Sequence, residues 1–308
     1  MTVGIIGAGC VGATLAARIS QSGIKDVNLI ARGKYASRLS SFGICVNGER
    51  FMLPVISEAS IKHIDLAVVC VKNFDLEQAC KDMLGIVDNT TIILPLLNSV
   101  SPTPTLQRNF PNNRVLYGYI SKIDTWRDGD QYVYNVPGDI HFGYAANNPP
   151  AEELLPIKEL FANAGFGAFI DADMVRGVWR KWMLNVGANQ VSALTEANYL
   201  QFAQIPEIVQ ILKLAMMELL NIASYEGVDL GTKDIRDLIK YLTTYKYPKK
   251  TSMLQDVLLR RRTEIDYISG DIVRLSRKWN VPCPVNLAMY YLIKSKERAY
   301  LGTAESEN

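Results

Sequence analysis

The residues best placed to do chemistry lie on one stretch, Val178–Leu194 (VWRKWMLNVGANQVSAL). It is rich in helix formers and apolar nearly all round, through Trp179, Trp182, Met183, Leu184, Val186, Val191 and Leu194, as buried helices are. Against that background Lys181, Asn185 and Asn189 recur at i, i+4 and i+8. Each step of four residues turns a helix by about 400°, so the three fall within an arc of roughly 80°. Burying a cation and two amides is costly unless something polar meets them. Either the stripe is solvated on a partly exposed helix, or it faces a crevice and grips a small polar ligand. In the second case Lys181 can neutralise negative charge on the bound ligand and deliver a proton. Partial burial would bring its pKa toward neutrality.

A second constellation opens the chain. The β-rich run Thr2–Ile6 leads directly into Gly7-Ala8-Gly9-Cys10-Val11-Gly12, then a helical pattern Ala13–Ser22 with Gly23 as its stop, then a strand-like run Asp26–Ala31. Strand, GxGxxG, helix and strand within about 30 residues make the dinucleotide-binding fingerprint in its required context. The glycines permit a tight turn and close approach of a pyrophosphate to a helix N-terminus. NAD enzymes usually place an acid after the second strand, for the ribose hydroxyls. Here Ile30-Ala31-Arg32-Gly33-Lys34 offers no carboxylate, and Arg32 can clamp a 2′-phosphate with paired donors, which favours NADP. The alternative is that Arg32 and Lys34 are solvated loop charges.

The elements that must position these residues follow in order. Cys45–Phe51 reads as a hairpin around Asn47-Gly48. Leu66–Val71 and Thr91–Leu97 are continuous apolar runs, as expected of parallel strands buried on both faces. They end in Lys72-Asn73 and Asn98-Ser99, where ligands bind in open α/β sheets. Pro95 predicts a kink or bulge in the second run. Short β-rich runs at Leu116–Ile123, Gln131–Asn135 and Ile140–Tyr144 predict antiparallel strands extending the parallel sheet. A helix (Ala151–Asn163) and an edge strand (Gly165–Ile170) complete an expected domain of residues 1–172. Residues 173–308 read as all helical: the opening helix, Pro206–Glu226 stopped by Gly227, Asp234–Thr244, Met253–Trp279 and Val285–Tyr300. Within Met253–Trp279, Glu264 falls at the margin of the buried stripe. Such a carboxylate is either paired, for instance with one of Arg260–Arg262, or functional. The fold expectation is thus α/β, an N-terminal Rossmann-type domain with added antiparallel strands and an all-helical C-terminal domain.

Length and charge bound the rest. The 308 residues suit two domains, and 33 Lys and Arg against 31 Asp and Glu give a formal charge of +2. No long basic run appears, so nucleic acid is not an expected partner. The five cysteines (Cys10, Cys45, Cys70, Cys80 and Cys283) have no CxxC or zinc spacing, and His63 and His141 sit in no ligand cluster; no metal is expected, and the odd cysteine count fits a reducing cytoplasm. No signal peptide and no run of 18 apolar residues is apparent, so no membrane span is expected. The tail Thr303–Asn308 is polar and expected to fray.

These residues resemble the ketopantoate reductases (2-dehydropantoate 2-reductases) over nearly the whole chain. The resemblance rests on Gly7–Gly12, Val71-Lys72, Asn98, Trp179-Arg180-Lys181 with Asn185, Asn189 and Ala193-Leu194, and on Ser252-Met253-Leu254-Gln255-Asp256 followed by Thr263–Gly270. It implies a Rossmann domain, a helical second domain, and NADPH-dependent reduction of ketopantoate to pantoate, a step toward pantothenate and coenzyme A, in a cleft between the domains. It makes Lys181 the general acid, Asn98, Asn185, Asn189 and Ser252 substrate contacts, Glu264 a substrate anchor that orders the site, and Lys72 a cofactor and active-site residue. The family usually has Asn-Gly followed shortly by an acid, whereas this chain has Asn98-Ser99-Val100-Ser101-Pro102. Two alternatives stay open: a reductase of another small 2-oxo acid, and a non-catalytic NADPH-binding regulator. A small-molecule 2-oxo acid is the expected partner, and the chain is expected to be a monomer or a homodimer.

Overall fold

Four apolar runs become the strands β1 (Val3–Ile6), β2 (Val27–Ile30), β6 (Leu66–Val69) and β7 (Ile92–Pro95), each buried along its whole length. The computed structural model describes residues 1–24, 26–57 and 63–302; the expected frayed tail lies outside them. With β5 (Val55–Ile56) and β8 (Arg114–Val115) these strands form one parallel sheet in the order β5-β2-β1-β6-β7-β8. Alternate residues feed two cores, as a two-residue period demands. Val3, Ile5, Val68 and Leu94 pack on one side with Leu15 and Ile19 of α1 (Cys10–Gln21) and Ile157 and Phe161 of α5 (Leu155–Asn163). Ile6, Val69 and Ile93 pack on the other with Leu76 and Met83 of α3 (Leu76–Met83) and Leu106 of α4 (Pro102–Asn109).

The register through Pro95 is unbroken, Val68 against Leu94 and Val69 against Pro95, contrary to the expected kink or bulge. Leu96 N–H donates to Val69 O (2.8 Å) on the β6 side, so the missing N–H of Pro95 faces the other side, where pairing with β8 has ended at Ile93. A proline is tolerated where no ladder bond is due. The later strands are present but do not extend the parallel sheet. β10 (Asp124–Asp128) and β11 (Gln131–Val136) join the hairpin β3 (Ile44–Val46) and β4 (Glu49–Phe51) in a four-stranded sheet. β9 (Tyr117–Ser121), β12 (Asp139–Gly143) and β13 (Gly167–Phe169) form a three-stranded one. The hairpin turns as expected, with Asn47 and Gly48 both at positive φ (49° and 83°). A helix the sequence reading did not anticipate, α2 (Gly33–Phe42), follows Arg32.

The chain divides into two compact units, residues 1–178 and 179–308, and the division falls inside α6 (Met174–Thr195). In the first unit the lead-in to α6 is braced from the three-stranded sheet. His141 stacks between Tyr119 and Phe169, with ring centroids 4.5 and 5.0 Å away, and both His141 Nδ1 and the Tyr119 hydroxyl meet Asp171 Oδ2 at 2.9 Å. These bonds outweigh burial and hold the Asp171 carboxyl below its usual range.

Among the described residues the regular elements of the second unit are all helices: the rest of α6, α7 (Tyr199–Gln204), α8 (Pro206–Tyr225), α9 (Thr232–Thr243), α10 (Ser252–Leu258), α11 (Ile265–Trp279) and α12 (Pro284–Leu301). Gly227 (φ 73°) stops α8 as expected. By length and composition α8 could cross a membrane. Here Leu212, Met216, Leu219 and Ile222 are buried, and its Glu218 accepts the Val285 and Asn286 N–H groups at 2.8 and 2.9 Å, which is the behaviour of a core helix. Asn286 carries the network on to Gln190 of α6 (2.7 Å), so the buried polar groups pair with one another, as burial requires. The expected single helix Met253–Trp279 is two. Arg260 takes positive φ (50°), the Tyr300 hydroxyl donates to Arg261 O (2.8 Å), and Thr263 N–H donates to Glu297 Oε1 (2.6 Å), so α12 holds the break open. Glu264 is therefore the buried residue that precedes α11.

Arg18 of α1 supplies the test of how the first unit is tied together. Its guanidinium donates to Ala164 O (2.7 Å) and the Tyr134 hydroxyl (3.0 Å) and lies 5.6 Å from the Phe166 ring centre. A hydrogen bond from a charged donor contributes about 1.5–3 kcal/mol. Arg18→Met should lower the unfolding free energy by about 2–3 kcal/mol in guanidinium titration; a change under about 0.5 kcal/mol, the range of an ordinary surface substitution, would contradict the role assigned to it.

Candidate active site

β1 ends where the glycine loop begins, and each glycine there has its own reason. Gly7 has φ +93°, and a Cβ on it would lie 2.7 Å from the Val71 backbone nitrogen. A Cβ on Gly12 would lie 1.9 Å from the Gly7 carbonyl oxygen. A Cβ on Gly9 would meet nothing within 4 Å, so the backbone there borders open space. Ala8 is buried below the loop, while Cys10 and Val11 start α1 half-buried. The first intrahelical bond runs from Ala13 N–H to Gly9 O (2.8 Å), so the amides of Cys10, Val11 and Gly12 precede it; no acidic residue stands in that first turn. An open cradle with helix-start amides and no competing carboxylate suits a dinucleotide pyrophosphate.

Because β6 runs parallel to β1, and β7 parallel to β6, the residues after them emerge at the same edge as the glycine loop. Lys72 is half-buried and caps a short turn, Asn73–Asp75. Asn98 is half-buried too. The departing residue beside it, Ser99, is buried, and its hydroxyl accepts Ser101 N–H at 3.2 Å, so it holds the loop's turn. Arg32 is exposed in the short link after β2, as the extended residue that precedes α2. Its guanidinium donates to the backbone oxygens of Asp82 (3.1 Å) and Leu84 (2.7 Å) at the end of α3. Two of five donors are thereby used, and the fork is fixed in direction.

In the second unit α6 carries the stripe as expected. Lys181 is half-buried and Asn185 and Asn189 are buried, at 3% and 6% exposure. Trp182 beside Lys181 is 1% exposed, and its indole donates to Tyr267 O (3.1 Å), so the start of α11, three residues past Glu264, lies against the Lys181 turn. Burial pushes the Lys181 ammonium down from 10.5 to about 8, and the positive charge of Lys249 adds to the fall. Sequence reading missed Lys249, which sits in the loop between α9 and α10, where no helical period marks it. Ser252 is exposed at the first position of α10, and Thr251 before it caps Leu254 N–H (3.2 Å). A shallow depression between α8 and α9, beside Met217, Ile235 and Lys240, holds none of these residues. Among the described residues no three His, Cys, Asp or Glu side chains are grouped to hold a metal ion.

A parallel sheet with a glycine cradle at its carboxyl edge, joined to a helical unit with a half-buried lysine, defines an α/β protein of the Rossmann type. The profile of the ketopantoate reductase PanE/ApbA family matches residues 3–147, and that of its C-terminal part matches residues 173–297. The chain belongs to this family. It is 25% identical over 310 residues to the 2-dehydropantoate 2-reductase of Streptococcus pyogenes serotype M1 (96% of this chain, 98% of the relative). It is 22% identical over 297 residues to an uncharacterized oxidoreductase, YkpB, of Bacillus subtilis (93% and 97%). Among solved structures, a ketopantoate reductase from Ralstonia eutropha JMP134 aligns with TM-score 0.84 at 24% identity (98% and 100%). D-mandelate dehydrogenase with NADH and anilino(oxo)acetate aligns with TM-score 0.87 at 22% identity (98% and 100%).

The glycines separate two effects that usually travel together. Gly12→Ala should lose both stability and dinucleotide binding, since its methyl strikes the Gly7 carbonyl. Gly9→Ala has room for its methyl, so its denaturation midpoint should stay unchanged while the dissociation constant for the dinucleotide, read by fluorescence quenching, rises about tenfold or more, about 1.4 kcal/mol. Undiminished binding by Gly9→Ala would mean the pyrophosphate does not sit there.

Proposed function

We propose that the chain is an NADPH-dependent reductase of a 2-oxo acid, with 2-dehydropantoate as its substrate and pantoate as its product. The observation that carries this reading is Lys181, an ammonium on an apolar helix with its pKa lowered to about 8 and two buried carboxamides on the same face. A group poised there is mostly protonated at neutral pH yet gives its proton up readily. NADPH, when bound in the glycine cradle, supplies the hydride. The chain's own residues do the rest. Lys181 donates to the ketone oxygen and transfers its proton as negative charge develops. Asn98, Asn185, Asn189 and Ser252 hold the substrate's carboxylate and hydroxyl. Glu264 anchors the substrate from the start of α11. Lys72 serves the cofactor end of the site, and Arg32, unopposed by any acid after β2, takes a 2′-phosphate with the donors its two carbonyl bonds leave.

A second reading keeps the chemistry and changes the substrate to a 2-oxo acid with a larger, aromatic side chain. It is favoured by the fold's likeness to D-mandelate dehydrogenase. A panel of 2-oxo acids with NADPH and NADH, followed by cofactor absorbance, separates the two; no turnover of any 2-oxo acid would sink both.

Lys181→Met keeps helix propensity and most of the volume while removing the proton. As general acid, Lys181 is worth about 10²- to 10⁴-fold in kcat. NADPH affinity should hardly move. Wild-type activity should fall as pH rises through about 8, because the amine must be protonated to act, and that alkaline limb should be missing from the mutant's residual rate. A loss confined to KM would make Lys181 a tether. For the cofactor, the wild type should prefer NADPH, and Arg32→Asp should abolish or reverse the preference by repelling the 2′-phosphate. Equal use of both cofactors by the wild type would refute the role given to Arg32.

A further inference from the structure

Lys249 has a more constrained setting than an ordinary loop lysine. Its N–H donates to Tyr247 O (2.8 Å), and its carbonyl accepts Tyr199 N–H (2.9 Å) at the first residue of α7, four residues past the end of α6. Its ammonium lies 5.8 Å and 5.7 Å from the ring centres of Tyr199 and Tyr245, whose own centres are 4.7 Å apart with the planes tilted by 51°. Tyr245 is held in turn by the Tyr241 hydroxyl at 2.6 Å. A flexible side chain is thereby given one direction, since a cation over two aromatic faces is favoured by about 0.5–2 kcal/mol. From there its positive charge acts on Lys181, whose ammonium it helps, after burial, to destabilise. The stripe of Asn185 and Asn189 continues along α6 from Lys181 toward the end where the Lys249 loop is fastened.

Two ammonium groups that feel one another repel, here with one of them on the face of Asn185 and Asn189, and an anion placed with them relieves the repulsion. A 2-oxo acid brings such an anion one bond from the ketone that Lys181 addresses. We propose that Lys249 binds the substrate's carboxylate and so confines the site to 2-oxo acids, rejecting neutral ketones of the same shape. This rests on the reductase reading above and adds to it the group that recognises the acid. The tyrosines that aim Lys249 would keep it from collapsing onto solvent when no substrate is present.

The test pairs turnover with binding. The substrates are the preferred 2-oxo acid and its uncharged primary amide; the binding probe is oxamate, an unreactive mimic of a 2-oxo acid, titrated by calorimetry into the NADP-loaded protein. In Lys249→Gln, KM for the acid should rise about 10- to 150-fold, the fold-change for a lost hydrogen bond to a charged group, with kcat within about threefold. The amide should be used no worse than by the wild type, oxamate binding should weaken to match, and Lys249→Arg should recover most of the loss. An acid KM that does not change, or a loss shared equally by acid and amide, overturns the proposal, the latter because it would make Lys249 only a structural cap on the tyrosines. If the wild type reduces no 2-oxo acid, the reductase reading fails by itself. Oxamate binding that is strong in the wild type and lost in Lys249→Gln would then still support Lys249 as a carboxylate site, and oxamate binding indifferent to the substitution would remove it.

Discussion

An ammonium group resists being moved out of water, and the cost appears as a lowered pKa. For Lys181 the fall from 10.5 to about 8 corresponds to roughly 3 kcal/mol against the charged form. Much of the second unit serves to maintain that setting. Trp182 is locked by its bond to Tyr267, the buried polar network from Gln190 through Asn286 to Glu218 ties α6 to α8 and α12, and the α10–α11 break presents Glu264 at a helix start. A helix held this firmly cannot swing Lys181 out to solvent without breaking bonds in the core, so the strain stays on the proton, where chemistry can use it.

The first unit solves a different problem, keeping backbone groups bare at one place. The parallel sheet gathers the ends of β1, β6 and β7 at one edge, and the glycine loop between Gly7 and Gly12 leaves room where a side chain would otherwise stand. The packing beneath is tight. Gly12 touches Gly7, Gly7 touches Val71, and Cys70 is buried enough for its thiol to be pushed up to about 12. Its four cysteines, Cys10, Cys45, Cys70 and Cys80, are free thiols, so packing rather than crosslinking holds this unit.

Much of this was legible in the sequence because it depends on local pattern. Continuous apolar runs gave the buried strands, Asn47-Gly48 the hairpin, Gly227 the end of α8, and the four-residue recurrence of Lys181, Asn185 and Asn189 a single face of α6. What escaped depends on partners far along the chain. Leu259–Arg262 contains no glycine or proline, so nothing local announces the break before Glu264; Glu297 and Tyr300 make it. β11 leaves the parallel sheet because it pairs with β3, nearly 90 residues earlier. Pro95 looked disruptive because its neighbour's length was unknown; β8 stops before the missing N–H is needed. Lys249 lies in a loop, and only the rings of Tyr199 and Tyr245 give it direction.

The most direct test of the account reads the Lys181 proton itself. With lysines carrying 13C-methyl labels by reductive methylation, and Lys181→Met used to assign the signal, NMR titration should find one amine titrating near pH 8, well below the ordinary lysine range. A Lys181 signal that titrates with the exposed lysines would contradict the claim that this helix holds an ammonium ready to give up its proton.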